Sequence, residues 1–151
     1  MIRIRCGCTG NICRSPMAEL VMKQLVRKEG LDWFISSAAN TGDEVGNPVY
    51  PPVRALLEAR GISCKGKHSV QLRREDYPNY DYFIGMDARN RRDMLRIFGG
   101  DPENKVHLLL DYTDHPHEIA DPWYTRDFRK AEAEIDEGCA ALLRTLRARD
   151  N

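Results

Sequence analysis

Two hydrophobic periods alternate along this chain of 151 residues. Short apolar runs of strand character fall at 2–8, 33–38, 81–86 and 105–110. Longer stretches of helical period lie between and after them, at 16–29, 51–60, 87–98 and 126–147. In the first helix the apolar positions include Met17, Val21 and Leu25. In the last, Ile135, Cys139, Leu142 and Leu146 share one face. Gly30, Gly61 and Gly99 follow three of the helices, where left-handed caps belong. Strand–helix alternation predicts an α/β, three-layer fold: a four-stranded parallel sheet with helices on both faces. Such folds bind ligands beyond the carboxyl ends of their strands, which directs attention to the loop after the first strand.

That first strand breaks the pattern. Ile2, Ile4, Cys6 and Cys8 alternate onto one face, but Arg5 and Gly7 interrupt the other. A central parallel strand is normally apolar on both faces. An unpaired buried Arg is costly, and Gly in a strand packs nothing. Either Arg5 finds a partner or the strand is weakened. The pattern alone predicts that Arg5→Leu with Gly7→Val raises the melting temperature.

Composition narrows the picture. The length suits a single domain, 1–151. Lys plus Arg and Asp plus Glu are both 23, which argues against bulk attraction to nucleic acid. No apolar run reaches membrane-spanning length, and Met1 leads almost directly into a strand, so neither membrane nor export is expected. Five cysteines without a paired framework fit a reducing cytoplasm. Nothing in the pattern sets an oligomeric state.

The densest chemistry lies in Cys8-Thr9-Gly10-Asn11-Ile12-Cys13-Arg14-Ser15-Pro16. A cysteine is a good nucleophile only as thiolate, and an unperturbed thiol titrates near about 8.5. Ser15 and Pro16 read as the cap and first position of a helix, whose positive end faces the loop. Arg14 adds a full charge and a planar fork for two phosphate oxygens. Gly10 permits the backbone to turn its N–H groups inward as an anion nest. Together these features favour a Cys8 thiolate beside a phosphate dianion. Zinc is a poor alternative, because Cys6, Cys8 and Cys13 lack paired spacing and Cys64 and Cys139 stand alone.

These residues resemble the low-molecular-weight protein tyrosine phosphatases. The resemblance extends through Ser37-Ala38-Ala39, Val45-Gly46-Asn47-Pro48, Met86-Asp87 with Asn90, and Asp121-Pro122-Trp123-Tyr124, in the family's order. It implies a cysteinyl-phosphate mechanism without metal or cofactor, acting on phosphotyrosine-containing proteins. Cys8 would be the nucleophile, Arg14 the phosphate ligand and Asp121 the acid and then the base. Thr9, Gly10, Asn11, Ile12, Cys13 and Ser15 would line the substrate site, with Trp123 and Tyr124 as aromatic walls. Ser15 either caps the helix or stabilises the Cys8 thiolate. The resemblance further implies a supporting network of Asn11, Ser15, Ser37 and His68, with Asp87 orienting the loop. It also implies that Cys13 traps an oxidised Cys8 as a disulfide, with Cys6 a competitor on the same strand face.

Rival functions are weighed by single positions. Protein-arginine phosphatases of this type tend to carry Thr where Ile12 stands, and Ile12 suits a phenyl ring. A thioredoxin-coupled arsenate reductase needs further mid-chain cysteines, and none lies between Cys64 and Cys139. A phosphocarrier or a catalytically weakened phosphate-binding module remains the non-enzymatic alternative, against which Arg14 and Asp121 stand together. Arg126 occupies a position where the family often has glycine. Three other clusters are weaker. The run 61–68 mimics a nucleotide loop but follows a helix and ends in His68 instead of Ser or Thr. Asp114, His115, His117 and Glu118 read as a solvated loop, and Arg89, Arg91, Arg92 and Arg96 as an exposed helix face.

Overall fold

In a computed structural model that describes residues 1–150, the chain forms one four-stranded parallel sheet. The strands are β1 (Arg3–Cys8), β2 (Phe34–Ala39), β3 (Tyr82–Gly85) and β4 (Val106–Leu108), in the order β2-β1-β3-β4. The helices are α1 (Arg14–Lys28), α2 (Pro51–Glu58), α3 (Ala88–Phe98), α4 (Pro122–Thr125) and α5 (Phe128–Asp150). β1 pairs with β2 on one side and β3 on the other, so the order reverses at its carboxyl end.

The alternation of β1 divides the core in two. Ile4, Cys6 and Cys8 join residues of α1, α2 and α5, including Met17, Val21, Leu57, Ile135 and Leu142, in the larger cluster. The opposite face packs Phe83, Met94, Phe98 and Tyr80, from β3, α3 and the loop before β3. The three-layer reading of the sequence is therefore correct, with β1 the central strand.

Several boundaries differ from the sequence pattern, each for a local reason. α1 starts at Arg14, with Cys13 at its cap and no side-chain cap, because Ser15 lies inside the first turn. β4 ends at Leu108, where Leu109–Tyr112 coils into a 3-10 turn fixed by Asp111 Oδ2 accepting from Leu108 N–H at 3.0 Å. α5 presses on that turn at Gly138, where a Cβ would sit 2.5 Å from Leu109 Cγ. α5 begins at Phe128 instead of 126 because Arg126 is left-handed, at φ 61°, and ends the unforeseen helix α4. A 3-10 turn at Arg74–Asn79 was also invisible to the periodicity.

The two irregular residues of β1 are both accommodated. Arg5 Nη1 donates to Tyr80 Oη at 2.5 Å and to Ser36 Oγ at 3.3 Å. Its guanidinium lies 5.1 Å from the Tyr80 ring centroid and its Nε is 4.0 Å from Asp76. Gly7 leaves room for Met94, whose Cε would be 2.2 Å from an added Cβ. Met94 is fully buried among Phe83, Phe98 and Tyr80, so a Cβ at residue 7 makes this cluster repack around its terminal methyl. These contacts make the opposite of the stabilisation that the strand pattern predicts for leucine and valine the expected outcome. Gly7→Val should cost about 1–3 kcal/mol by overpacking. The Arg5→Leu, Gly7→Val pair should melt below the wild type in a thermal unfolding scan.

Candidate active site

The segment between β1 and α1 is held from outside through its carbonyls. Cys8 O accepts from Asn40 N–H at 2.9 Å, Thr9 O from Thr41 N–H at 3.1 Å, and Ile12 O from Tyr50 N–H at 2.9 Å. Gly10 O accepts from Ser69 Oγ at 2.9 Å. With its carbonyls turned outward, the loop presents its N–H edge inward, as an anion nest requires. The turn is completed at Asn11, which is left-handed at φ 58°, a conformation Asn tolerates better than most residues.

Asn11 is also the hub of a buried polar chain. Its Nδ2 donates to Ser15 Oγ at 2.7 Å and to Ser37 Oγ at 2.9 Å, while Oδ1 accepts from Val70 N–H at 3.2 Å. Ser37 Oγ donates onward to Glu19 Oε1 at 2.6 Å. Ser15 Oγ lies 3.0 Å from Cys8 Sγ, and Ser15 N–H donates to the same sulfur at 3.4 Å. Because Ser15 Oγ accepts from Asn11, its own proton is free to point at Cys8. Ser15 therefore serves the sulfur, and of its two proposed roles capping is not used.

Glu19 is the charged end of the chain. Its carboxylate is buried and receives Lys67 Nζ on Oε1 and Lys23 Nζ on Oε2, each at 2.7 Å. Burial by itself would raise its pKa. The Lys67 charge and hydrogen bonds from Lys23, Lys67 and Ser37 outweigh burial and hold the carboxyl below its ordinary range. His68, expected in this network, is exposed and makes only a backbone bridge to Pro48. The segment is extended there, so alternation sends Lys67 and Ser69 toward the loop and His68 to solvent.

Arg14 lies almost wholly inside the protein. Its Nη1 donates to Asp87 Oδ2 and to Ile119 O, both at 2.7 Å, and its Nη2 is 3.4 Å from Asp121 Oδ2. Its buried Nε has no partner within the described residues, which leaves an oriented donor suited to an anion. Burial opposes the charge, but Cys8, Asp87 and Asp121 prevail and raise the guanidinium pKa. Asp87 also caps α3, its Oδ1 accepting from Asn90 N–H at 2.8 Å. Asn90 reaches the loop in turn, with Nδ2 at 3.5 Å from Thr9 Oγ1.

These groups open into a cleft of about 220 Å3. Cys8, Thr9, Gly10, Asn11, Ile12 and Cys13 form its floor, with Asp121, Trp123 and Tyr124 on one wall and Thr41, Asp43 and Glu44 on the other. Asp121 caps α4, its Oδ1 accepting from Trp123 N–H at 3.0 Å. Trp123 and Tyr124 are both exposed. Burial, then the nearby Cys8 and Asp121, push the Cys13 thiol up to about 12. Cys6 lies outside the cleft, and burial raises its thiol further.

Glu19, Lys67, Asp43, Glu44 and Tyr50 also meet the site, though no motif in the sequence marks them. One signal pointed to Glu19: it is a charge four residues after Ser15, on the helix's buried side. Lys67 sat within the rejected nucleotide-loop run. The other doubtful clusters disperse as expected. His117 Nε2 pairs with Glu134, Glu118 caps Ala88 N–H at 2.6 Å, and Arg89, Arg91, Arg92 and Arg96 are exposed.

A parallel sheet with an anion nest, a buried arginine and a cysteine after its central strand defines a cysteine-dependent phosphatase. The family model for low molecular weight phosphotyrosine protein phosphatase matches residues 3–151, and the chain belongs to that family. It is 35% identical over 150 residues to the low molecular weight protein-tyrosine-phosphatase YfkJ of Bacillus subtilis (strain 168), covering 97% of this chain and 96% of that one. It is 36% identical to the low molecular weight phosphotyrosine protein phosphatase of Homo sapiens, covering 90% of each chain. The crystal structure of YfkJ from Bacillus subtilis superposes with a TM-score of 0.96 at 34% identity, over 100% of this chain and 98% of that one.

The Glu19 pair carries a pH signature. A carboxyl with a lowered folded-state pKa adds stability above its unfolded value, about 4.3, and loses it as pH falls through the folded value. Lys67→Met removes one charged donor and should cost about 2 kcal/mol at pH 7. The difference from wild type should shrink in acid, once Glu19 is protonated in both proteins. Thermal melts at pH 7 and at low pH measure it.

Proposed function

We propose that this chain, acting as one phosphatase domain, hydrolyses phosphotyrosine in proteins through a phosphoenzyme on Cys8. The phosphoryl group docks in the nest against Arg14, whose fork holds its oxygens. The Cys8 thiolate attacks phosphorus as the bond to the tyrosine oxygen breaks, and the Asp121 carboxyl donates its proton to that oxygen. Water then attacks the cysteinyl phosphate while Asp121 takes up its proton. The S–P bond breaks, inorganic phosphate leaves and the thiolate returns to the donors of Ser15. No cofactor or metal enters these steps.

The observation that carries this reading is that Cys8 and Asp121 line one cleft, with the Arg14 guanidinium behind it, 3.4 Å from Asp121 Oδ2. Ile12 on the floor and Trp123 on the wall give a phenyl ring apolar contact. Phosphoarginine is the second reading, because Asp43 and Glu44 on the far wall suit a guanidinium. The weakened-module reading loses its main support, since Arg5 is partnered and Gly7 fills a packing role. Five free thiols suit a reducing, cytoplasmic location. No helix among the described residues is long and apolar enough to cross a membrane.

Turnover of p-nitrophenyl phosphate tests the mechanism. Cys8→Ser should lower the rate by at least about 10^3-fold. Asp121→Asn should lower kcat/KM by about 10^2-fold or more on poor leaving groups. An inactive wild type would leave a binding module, and matched phosphotyrosine and phosphoarginine peptides decide the substrate. For redox control, Cys13 lines the cleft with Cys8 whereas Cys6 does not. Peroxide inactivation should therefore be thiol-reversible in wild type and irreversible in Cys13→Ser, as followed by residual activity.

A further inference from the structure

Arg126 holds a backbone conformation that residues other than glycine rarely adopt, at φ 61°, immediately after α4. Its side chain is engaged on three sides. Nη2 donates to Tyr50 Oη at 3.1 Å and Nη1 to Trp123 O at 3.4 Å. The guanidinium lies 5.4 Å from the Tyr50 ring centroid and 5.1 Å from that of Phe128. The Tyr50 ring also meets Trp123 at 4.9 Å and Phe128 at 5.9 Å. Tyr50 is tied by its backbone to the phosphate loop, donating to Ile12 O at 2.9 Å. A continuous path thus runs from the loop that carries the nucleophile, through Tyr50 and Arg126, to the turn that begins with Asp121.

We propose that Arg126 and Tyr50 form a strut that sets the position of Asp121 over the Cys8 loop, making both positioning residues for the leaving-group proton transfer. The proposal rests on the reading of Asp121 as the general acid. α4 is a single turn, and of its residues only Pro122 is buried, so little else restrains its outer side. Arg supplies what glycine at this position lacks: a planar fork that bonds two acceptors while stacking on rings. The left-handed backbone disfavours any side chain, and the contacts of the guanidinium offset that cost. Misplacing the acid slows phosphoenzyme formation on poor leaving groups, the step that kcat/KM reads, while its later duty as base falls after that step.

The test is kcat/KM across aryl phosphates from p-nitrophenyl to phenyl phosphate, with wild type, Arg126→Gly, Arg126→Lys, Tyr50→Phe and Asp121→Asn. p-Nitrophenolate leaves with little help, and phenolate needs the acid. Arg126→Gly should lose about tenfold on phenyl phosphate and less than about twofold on p-nitrophenyl phosphate. Tyr50→Phe keeps the ring stack and removes only the acceptor, so it should shift the leaving-group slope the same way by a smaller amount. Arg126→Lys should not restore the wild-type slope, because an ammonium lacks the fork. Equal losses on all substrates, or none, in Arg126→Gly overturn the strut. If Asp121→Asn itself leaves the slope unchanged, the acid assignment falls and the strut with it. If Asp121→Asn steepens the slope and Arg126→Gly does not, the strut alone falls. Should Arg126→Gly prove unfolded in a thermal scan, Tyr50→Phe decides on its own.

Discussion

A single buried carboxylate orients the polar interior of this protein. Glu19 is acceptor-only when ionised, so every group that touches it must donate. Ser37 therefore turns its proton toward Glu19 and offers its lone pairs to Asn11. Asn11 spends its two amide protons on Ser37 and Ser15, which leaves the Ser15 hydroxyl proton for the sulfur of Cys8. The direction of four successive hydrogen bonds follows from one charge. Lys67 and Lys23 keep that charge in place in a region that would otherwise neutralise it. The left-handed turn at Asn11 is stabilised by the same bonds, so the shape of the loop and the hydrogen bond offered to Cys8 share a cause.

The main framework was legible in the sequence because it depends on periods that are local. The first and last helices showed in the spacing of Met17, Val21, Ile135 and Leu142, the strands showed as short apolar runs between helical stretches, and the loop from Cys8 to Pro16 announced its chemistry by residue type alone. Arg14, Asp87 and Asp121 were found as individuals. Their mutual contacts were not, because these span more than seventy positions and no spacing rule reaches that far.

The failures share a physical origin. The family resemblance placed His68 in the supporting network, yet an extended segment exposes every second side chain, and the inward position is held by Lys67. Arg5 and Gly7 looked like flaws while β1 was considered alone. They become complementary once Tyr80 and Met94 are placed beside them. Ser15 had two possible duties, and the helix start at Arg14 removed one of them. In each case a one-dimensional pattern was overruled by a neighbour that arrives from a distant part of the chain.

Asp87 joins two structures that otherwise have separate fates. One of its oxygens closes the first turn of α3, and the other fixes the guanidinium of Arg14. A replacement that cannot cap is therefore read twice, once in the stability of α3 and once in the placement of the Arg14 guanidinium. Asn or Ser in its place keeps a cap for α3 and removes the carboxylate from Arg14, so only another capping residue separates the two duties. A variant of this scaffold with a retuned pocket therefore has to draw its residue 87 from the few side chains that cap a helix.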